Sequence, residues 1–383
     1  MQVLQNRRVL LLTEEYPPAT GGIQNYLSQL MAQLSPAHTF VITQKRADSD
    51  VWDREQKYKI VRVNMHGFFW PRWQPAYKAL EKAVKEFQPE IIVCGKALFE
   101  GRAALKIWKK YQIPYVVMTY GMEVNTWLEG GKTRRDLKNV LTNATRIIVI
   151  NDLIKKTLIK FLGSEKENKI VKIYPGVGAM FIEELKKINH SDAKIIITVC
   201  RLVSRKGVDV VIRALPEVLK IFPQTTYQII GDGPERSKLE DLVGKLGLKK
   251  QVNFLGKVTD SELWKSLNDA DLFVLTPRDE AGNFEGFGIV YLEAAAAGTC
   301  AVASRSGGVP EAVLDGVTGL LCEPDNPKDT ADKIIKLLKN DELREKLNEN
   351  AHKRVVDDFT WEKRAVLFRG VVESVVTSNR LRQ

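Results

Sequence analysis

Short apolar runs, four or five residues long and rich in β-branched side chains, recur along the chain with helix-length amphipathic segments between them. This alternation constrains the fold more than any other feature. In the first half the runs are Val9 to Thr13, Phe40 to Thr43, Ile60 to Val63, Ile91 to Cys94, Tyr115 to Thr119 and Ile147 to Ile150, with helical segments at Ile23 to Leu34, Ala76 to Phe87 and Gly101 to Tyr111. Continuous apolar strands alternating with helices imply a parallel sheet covered on both faces. The cadence restarts after Lys194, with strands at Ile195 to Val199, Tyr227 to Ile230, Val252 to Leu255, Leu272 to Leu275 and Cys300 to Ala303, and helices at about 207–221, 235–246 and 259–269. The polar stretch Glu183 to Ala193 lacks apolar periodicity and reads as a linker. The expected architecture is α/β: two doubly wound, Rossmann-like domains over residues 1–185 and 193–360, facing across a cleft, with ligands at the carboxyl ends of the strands.

Composition removes several function classes. A hydrophobic fraction of 44% and a charged fraction of 27% belong to a folded globular chain. No apolar run approaches the ~18 residues that cross a bilayer, so a cytoplasmic protein is expected. Cys94, Cys200, Cys300 and Cys322 form no C-x-x-C pair, and His38, His66, His190 and His352 form no H-E-x-x-H, so neither a disulfide framework nor a histidine metal site is expected. Charge is uneven: Lys and Arg number 30 against 18 Asp and Glu in residues 1–190, but 28 against 29 in residues 191–383. Nucleic acid, an anionic lipid surface or a charged acceptor could each exploit the basic half, and so could plain solvation. Within it, Gly67 to Lys78 gathers Phe68, Phe69, Trp70, Trp73 and Tyr77 with Arg72 and Lys78, a composition suited to a headgroup-level surface and equally to a packed loop.

Three loops carry chemistry beyond turning the chain. After the first strand, Glu14 to Gln24 ends in Gly21 and Gly22 at a helix start, where exposed N–H groups favour an anion. After Ile195 to Val199, the loop Cys200 to Gly207 presents Arg201, Arg205 and Lys206; Arg201 and Lys206 suit a diphosphate, one as a planar fork and one as a point charge. The turn Gly231-Asp232-Gly233 lacks the third glycine of a dinucleotide fingerprint, because Arg236 stands there, and reads as a tight turn with a minor part in cradling ligand. Finally, Glu285-Gly286-Phe287-Gly288 precedes a helix starting near Ile289, with Glu293 about one turn inside it, where a carboxylate among apolar residues needs hydrogen-bond donors such as sugar hydroxyls. Asp269-Ala270-Asp271 has the D-x-D form of a metal site, but enters a strand at its amino end and reads as structural.

Together these motifs resemble the retaining glycosyltransferases of the GT-B fold, glycosyltransferase family 4, which includes bacterial phosphatidylinositol mannosyltransferases and many polysaccharide-building enzymes. The resemblance runs from Gly21-Gly22-Ile23 through Arg201 and Lys206 to Glu285 and Glu293, an E-x7-E element, and on to Ser306-Gly307-Gly308. It implies catalytic roles for Glu285, Arg201, Lys206 and Tyr120, with the two cations on the donor diphosphate and Glu285 on the sugar hydroxyls. It implies substrate contacts from Gly21, Gly22, Gly121, Glu123, Gly231, Val258, Phe287, Gly288 and Ile289, and ribose binding by Glu293. A final helix within 361–383 is expected to cross back to the first domain. Two departures stand out. Thr119-Tyr120-Gly121-Met122-Glu123 has Tyr120 where the family commonly has histidine, and Pro175-Gly176-Val177-Gly178 lacks the usual acid. Tyrosine can donate a hydrogen bond but carries no positive charge.

The expected activity is metal-independent hexose transfer without a cofactor, from UDP-glucose or alternatively GDP-mannose, to a lipid-linked or saccharide acceptor. A peripheral position at the inner membrane face is compatible with the basic half. A UDP-sugar 2-epimerase on the same two-domain plan and a nucleic-acid-binding protein remain as other classes, although no nucleic-acid reader motif is present and no nucleic acid is expected as a partner.

Overall fold

The computed structural model describes residues 7–68, 71–121, 131–178, 181–182 and 193–381. It divides into two units, Met1–Pro175 together with Trp361–Gln383, and Gly176–Thr360. The sequence reading ends the first domain at 185, whereas the structure divides at Pro175. Val177 donates its amide to the Phe359 carbonyl at 2.8 Å and bridges to Thr360, which ties the chain after Pro175 to the second unit. Most of the linker at 183–193 lies outside the described residues.

The first unit is built on a seven-stranded, wholly parallel sheet ordered β3-β2-β1-β4-β5-β6-β7. Its strands are β1 (Val9–Thr13), β2 (Thr39–Gln44), β3 (Lys59–Val63), β4 (Ile91–Cys94), β5 (Tyr115–Thr119), β6 (Arg146–Val149) and β7 (Ile170–Lys172). All of β1, β4 and β5 is buried, as expected of central strands covered on both faces. The covering helices include Gly22–Ala32, Gln74–Phe87, Phe99–Tyr111, Gly131–Asn143 and Asp152–Leu162. The last helix, Trp361–Arg380, belongs to this unit. Arg7 bridges Glu90 at 3.0 Å and Glu373 at 2.6 Å, Arg380 reaches Glu90 at 2.8 Å, and Trp361 packs on Tyr26 with ring centroids 5.8 Å apart.

The second unit carries a six-stranded parallel sheet ordered β10-β9-β8-β11-β12-β13. Its strands are β8 (Ile195–Val199), β9 (Thr226–Ile230), β10 (Val252–Gly256), β11 (Leu272–Leu275), β12 (Ala301–Ser304) and β13 (Gly319–Cys322). Helices Val208–Leu219, Arg236–Lys245, Asp260–Asp269, Ile289–Ala296, Pro327–Lys339 and Asp341–Asp358 flank it. Strand order reverses between β1 and β4 in one sheet and between β8 and β11 in the other, the places where doubly wound sheets leave a crevice. Two strands went unread in the sequence. β7 has only three residues and sits between Lys169 and Lys172, and β13 begins with a glycine, so neither shows a clear apolar run.

Candidate active site

In the second unit the sequence motifs gather at the carboxyl edge of the sheet. The loop after β8 is clamped to the turn after β9: Cys200 N–H donates to the Ile230 carbonyl and Leu202 N–H to the Asp232 carbonyl, each at 3.0 Å. A Cβ on Gly231 would stand 1.9 Å from the Cys200 carbonyl oxygen, so the contact between the two loops already accounts for glycine there. Ser204–Lys206 form a 3-10 turn ended by Gly207, at φ +66°, whose Cβ would lie 1.9 Å from the Thr276 carbonyl oxygen. That close approach fixes the turn against the end of β11.

The turn aims two consecutive cations at one acid. Lys206 Nζ and Arg205 NH1 both donate to Glu285 Oε2, the arginine at 3.1 Å. Burial pushes the Glu285 carboxyl up, but Lys206 and Arg205 together outweigh it and hold the group below its ordinary value. Its backbone is held as well, because Gly308 N–H donates to the Glu285 carbonyl at 2.9 Å. Arg201, at the head of the loop, is exposed, and its side chain has no partner among the described residues.

Four residues after Glu285 the helix Ile289–Ala296 begins, with Gly288 at φ +86° as its cap. The amides of Gly288, Ile289 and Val290 have no acceptor among the described residues, which leaves this helix mouth open to an anion. Phe287 is buried and its ring stacks on Phe359, centroids 5.9 Å apart. Glu293 is partly buried, and its carboxylate has no hydrogen-bond or ion-pair partner among the described residues. Burial, assisted by Asp260, pushes it up to about 7. Val258 is half-buried just beyond β10, before Thr259 caps the helix Asp260–Asp269 with a capping box. Asp271 lies at the opposite edge, where it accepts the Ile195 amide at 2.8 Å and faces Arg344 at 3.8 Å and Lys194 at 4.0 Å.

In the first unit, Gly21 caps and Gly22 opens the helix after β1. The preceding loop is tied down by residues that the sequence reading did not assign. Glu15 pairs with Lys96 at 2.8 Å and accepts from Gln24, Glu14 pairs with His66 at 2.8 Å, and the Glu14 amide donates to Glu100 at 3.0 Å. Glu100 is fully buried, and burial pushes its carboxyl up to about 7. Its position in the first helical turn after β4 was the available signal, hidden because one carboxylate there commonly serves the helix dipole.

Tyr120, at the end of β5, is buried within its unit, its ring edge-on to Tyr26 with centroids 6.0 Å apart and its hydroxyl 3.9 Å from Met118 Sδ. Gly121 follows at φ +116°, and Glu123, Phe69 and Trp70 lie outside the described residues.

Residues 20–179 match Glycosyltransferase Family 4 and residues 181–354 match Glycosyl transferases group 1. An uncharacterized glycosyltransferase of Methanocaldococcus jannaschii is 28% identical, with 96% of this chain and 98% of that protein covered. The GDP-mannose-dependent monoacylated alpha-(1-6)-phosphatidylinositol monomannoside mannosyltransferase of Corynebacterium glutamicum is 27% identical, with 93% of this chain and 95% of that protein covered. Among solved structures, Anabaena HepE in complex with UDP and glucose shares the fold with a TM-score of 0.79 at 19% identity, covering 96% of this chain and 100% of that one. The chain is a glycosyltransferase of GT-B fold and belongs to the group 1/family 4 enzymes, a family of retaining hexosyltransferases that use nucleotide-sugar donors. Membership decides against the epimerase and nucleic-acid classes. Among the described residues no helix is long and apolar enough to cross a membrane.

Proposed function

We propose that the protein transfers a hexose from a nucleoside diphosphate sugar whose diphosphate rests between the Cys200–Gly207 loop and the mouth of the Ile289–Ala296 helix. The observation that carries this reading is the gathering of Arg201, Lys206 and the acceptor-free amides of Gly288, Ile289 and Val290 at one sheet edge. Negative charge grows on the departing phosphate as the anomeric bond breaks. Donors fixed beforehand stabilise that charge without reorganising during the reaction. Glu285 accepts from hydroxyls of the sugar and Glu293 from those of the ribose, while Phe287 and Val258 shape the pocket around them. The departing phosphate takes the proton of the acceptor hydroxyl, and the new bond forms on the face that the phosphate leaves. No step is assigned to a metal or cofactor.

The reading from sequence puts UDP-glucose first as donor. The Corynebacterium relative, which is named as GDP-mannose-dependent and aligned over most of its length, favours GDP-mannose as the second reading. The acceptor is a lipid-linked or growing saccharide, met by the first unit near Gly21, Gly22, Tyr120 and Gly121. Phe68, 93% exposed, and the exposed Lys78, Lys82 and Lys85 support a peripheral contact of that basic unit with an anionic membrane.

A screen of UDP- and GDP-linked hexoses for turnover tests the activity. Release of nucleoside diphosphate from one of them, dependent on added saccharide or lipid-linked acceptor, is the expected result. Absence of binding by every nucleotide sugar would overturn it. Flotation with phosphatidylserine vesicles tests the membrane contact, which requires binding that weakens with salt.

A further inference from the structure

We infer that Arg205 is a positioning residue which keeps Glu285 ionised and aimed at the donor sugar when Lys206 is drawn onto the diphosphate. The inference rests on the reading of the site given above and adds a residue that neither the sequence motifs nor that reading employs.

The geometry sets two cations on one oxygen. Lys206 and Arg205 both donate to Glu285 Oε2, and Oε1 has no partner among the described residues. A lysine ammonium on a flexible stem can serve Glu285 in the empty site or the phosphate in the filled one. It cannot neutralise both fully. If Lys206 were the sole partner, its move would strand a carboxylate whose side chain is only 12% exposed. Removing one member of a buried pair is strongly unfavourable, because the remaining charge has lost its water and gained nothing in return.

Arg205 is built to stay. Its carbonyl accepts the Arg278 amide at 2.8 Å, and Lys206 N–H donates to the Val203 carbonyl at 3.0 Å, so the backbone of the turn is held on both sides. Its guanidinium is planar, and fewer rotamers are lost per hydrogen bond than for lysine. The two neighbours in sequence therefore divide the work: Lys206 follows the charge of the substrate and Arg205 keeps that of the acid. The charges also match. Arg201, Arg205 and Lys206 against Glu285 leave a net two positive charges, and a sugar diphosphate ester carries one negative charge on each of its phosphates.

The test uses the full chain with its best donor, comparing Arg205→Gln, Arg205→Lys, Glu285→Gln and the double variant R205Q/E285Q, with Lys206→Ala and Arg201→Ala as references. In Arg205→Gln, kcat should fall at least tenfold while affinity for the free nucleoside diphosphate changes less than threefold. The acid limb of its kcat profile should move upward by about one pH unit, and Arg205→Lys should restore most of that shift. The double variant should be no slower than Glu285→Gln alone, because Arg205 acts through that carboxylate. Equal losses of kcat and nucleotide affinity would make Arg205 a diphosphate ligand and overturn the proposal. So would an unmoved acid limb or additive losses in the double variant. If Arg205→Gln fails to fold, Arg205→Met takes its place and is judged by the same acid limb, an unmoved limb again overturning the proposal. If neither Lys206→Ala nor Arg201→Ala weakens nucleotide binding, the reading of the whole site fails, a result distinct from a failure confined to Arg205.

Discussion

Lys206 closes a single 3-10 turn and meets Glu285, 79 residues further along the chain, through one carboxylate oxygen. The contact joins the loop after β8 to the mouth of the Ile289–Ala296 helix, so the strongest positive and negative groups of the site are positioned by each other as well as by their own backbones.

Arg201→Ala and Lys206→Ala should each weaken binding of the nucleoside diphosphate by about tenfold to a hundredfold, the range expected for losing one charge-assisted contact of ~1.5–3 kcal/mol. Titration calorimetry on correctly folded variants reads this directly. Undiminished affinity in both would place the diphosphate elsewhere.

Donor affinity should depend on pH, with Glu293 on the ribose as proposed. With its carboxyl up at about 7 in the free protein, it is largely protonated below neutrality and a poor acceptor for two ribose hydroxyls. Affinity for the nucleotide should rise as pH passes through about 7 and level off above it, and Glu293→Gln should flatten that rise. Stability should run the other way. The unfolded carboxyl titrates near its ordinary value of 4.5 and the folded one near 7, so folding takes up a proton in between. The contribution of Glu293 to stability is therefore full below the lower value and declines up to the higher one, a slope that chemical denaturation of Glu293→Gln should reduce.

Gly207→Ala should damage both folding and binding. The new Cβ meets the Thr276 carbonyl oxygen at 1.9 Å, a backbone atom that cannot swing aside, and the left-handed φ adds strain of ~1–2 kcal/mol. A lowered melting temperature is expected, together with a nucleotide affinity that falls because the turn bearing Arg205 and Lys206 is displaced. An alanine variant as stable and as tight-binding as the parent would contradict the packing described for this loop.

Asp271→Asn should separate structure from chemistry. Burial pushes the Asp271 carboxyl up and Asp341 still holds Arg344 at 2.8 Å, so the gain from removing a buried charge and the loss of its facing cations should offset and leave stability within ~1 kcal/mol. The KM for donor should remain within about twofold. A marked loss of donor affinity would return the D-x-D stretch to the active site.

The central strands and the loops of the candidate site were legible in the sequence because their signals are local. A run such as Val9 to Thr13 announces a buried parallel strand, and Gly286 to Ile289 announces a helix mouth. What escaped depends on partners remote in sequence. Arg205 could be read as one more surface cation until Glu285 came to lie against it, and Glu100, in the first turn of the helix Phe99–Tyr111, as a helix-dipole carboxylate until the Glu14 amide and complete burial showed that it holds the loop that carries Gly21 and Gly22. The packing of Tyr120 was likewise out of reach, because a motif says where the backbone runs and not that the ring lies edge-on to Tyr26.

The Trp361–Arg380 helix completes the first unit with chain that follows the whole second unit in sequence. While the ribosome is still elongating, Arg7 waits for Glu373, and every residue of the second unit has emerged before the first can close. Order of birth and order of maturation are thus inverted, and a released chain truncated after Thr360 should show a protease-resistant second unit beside a cleavable first one.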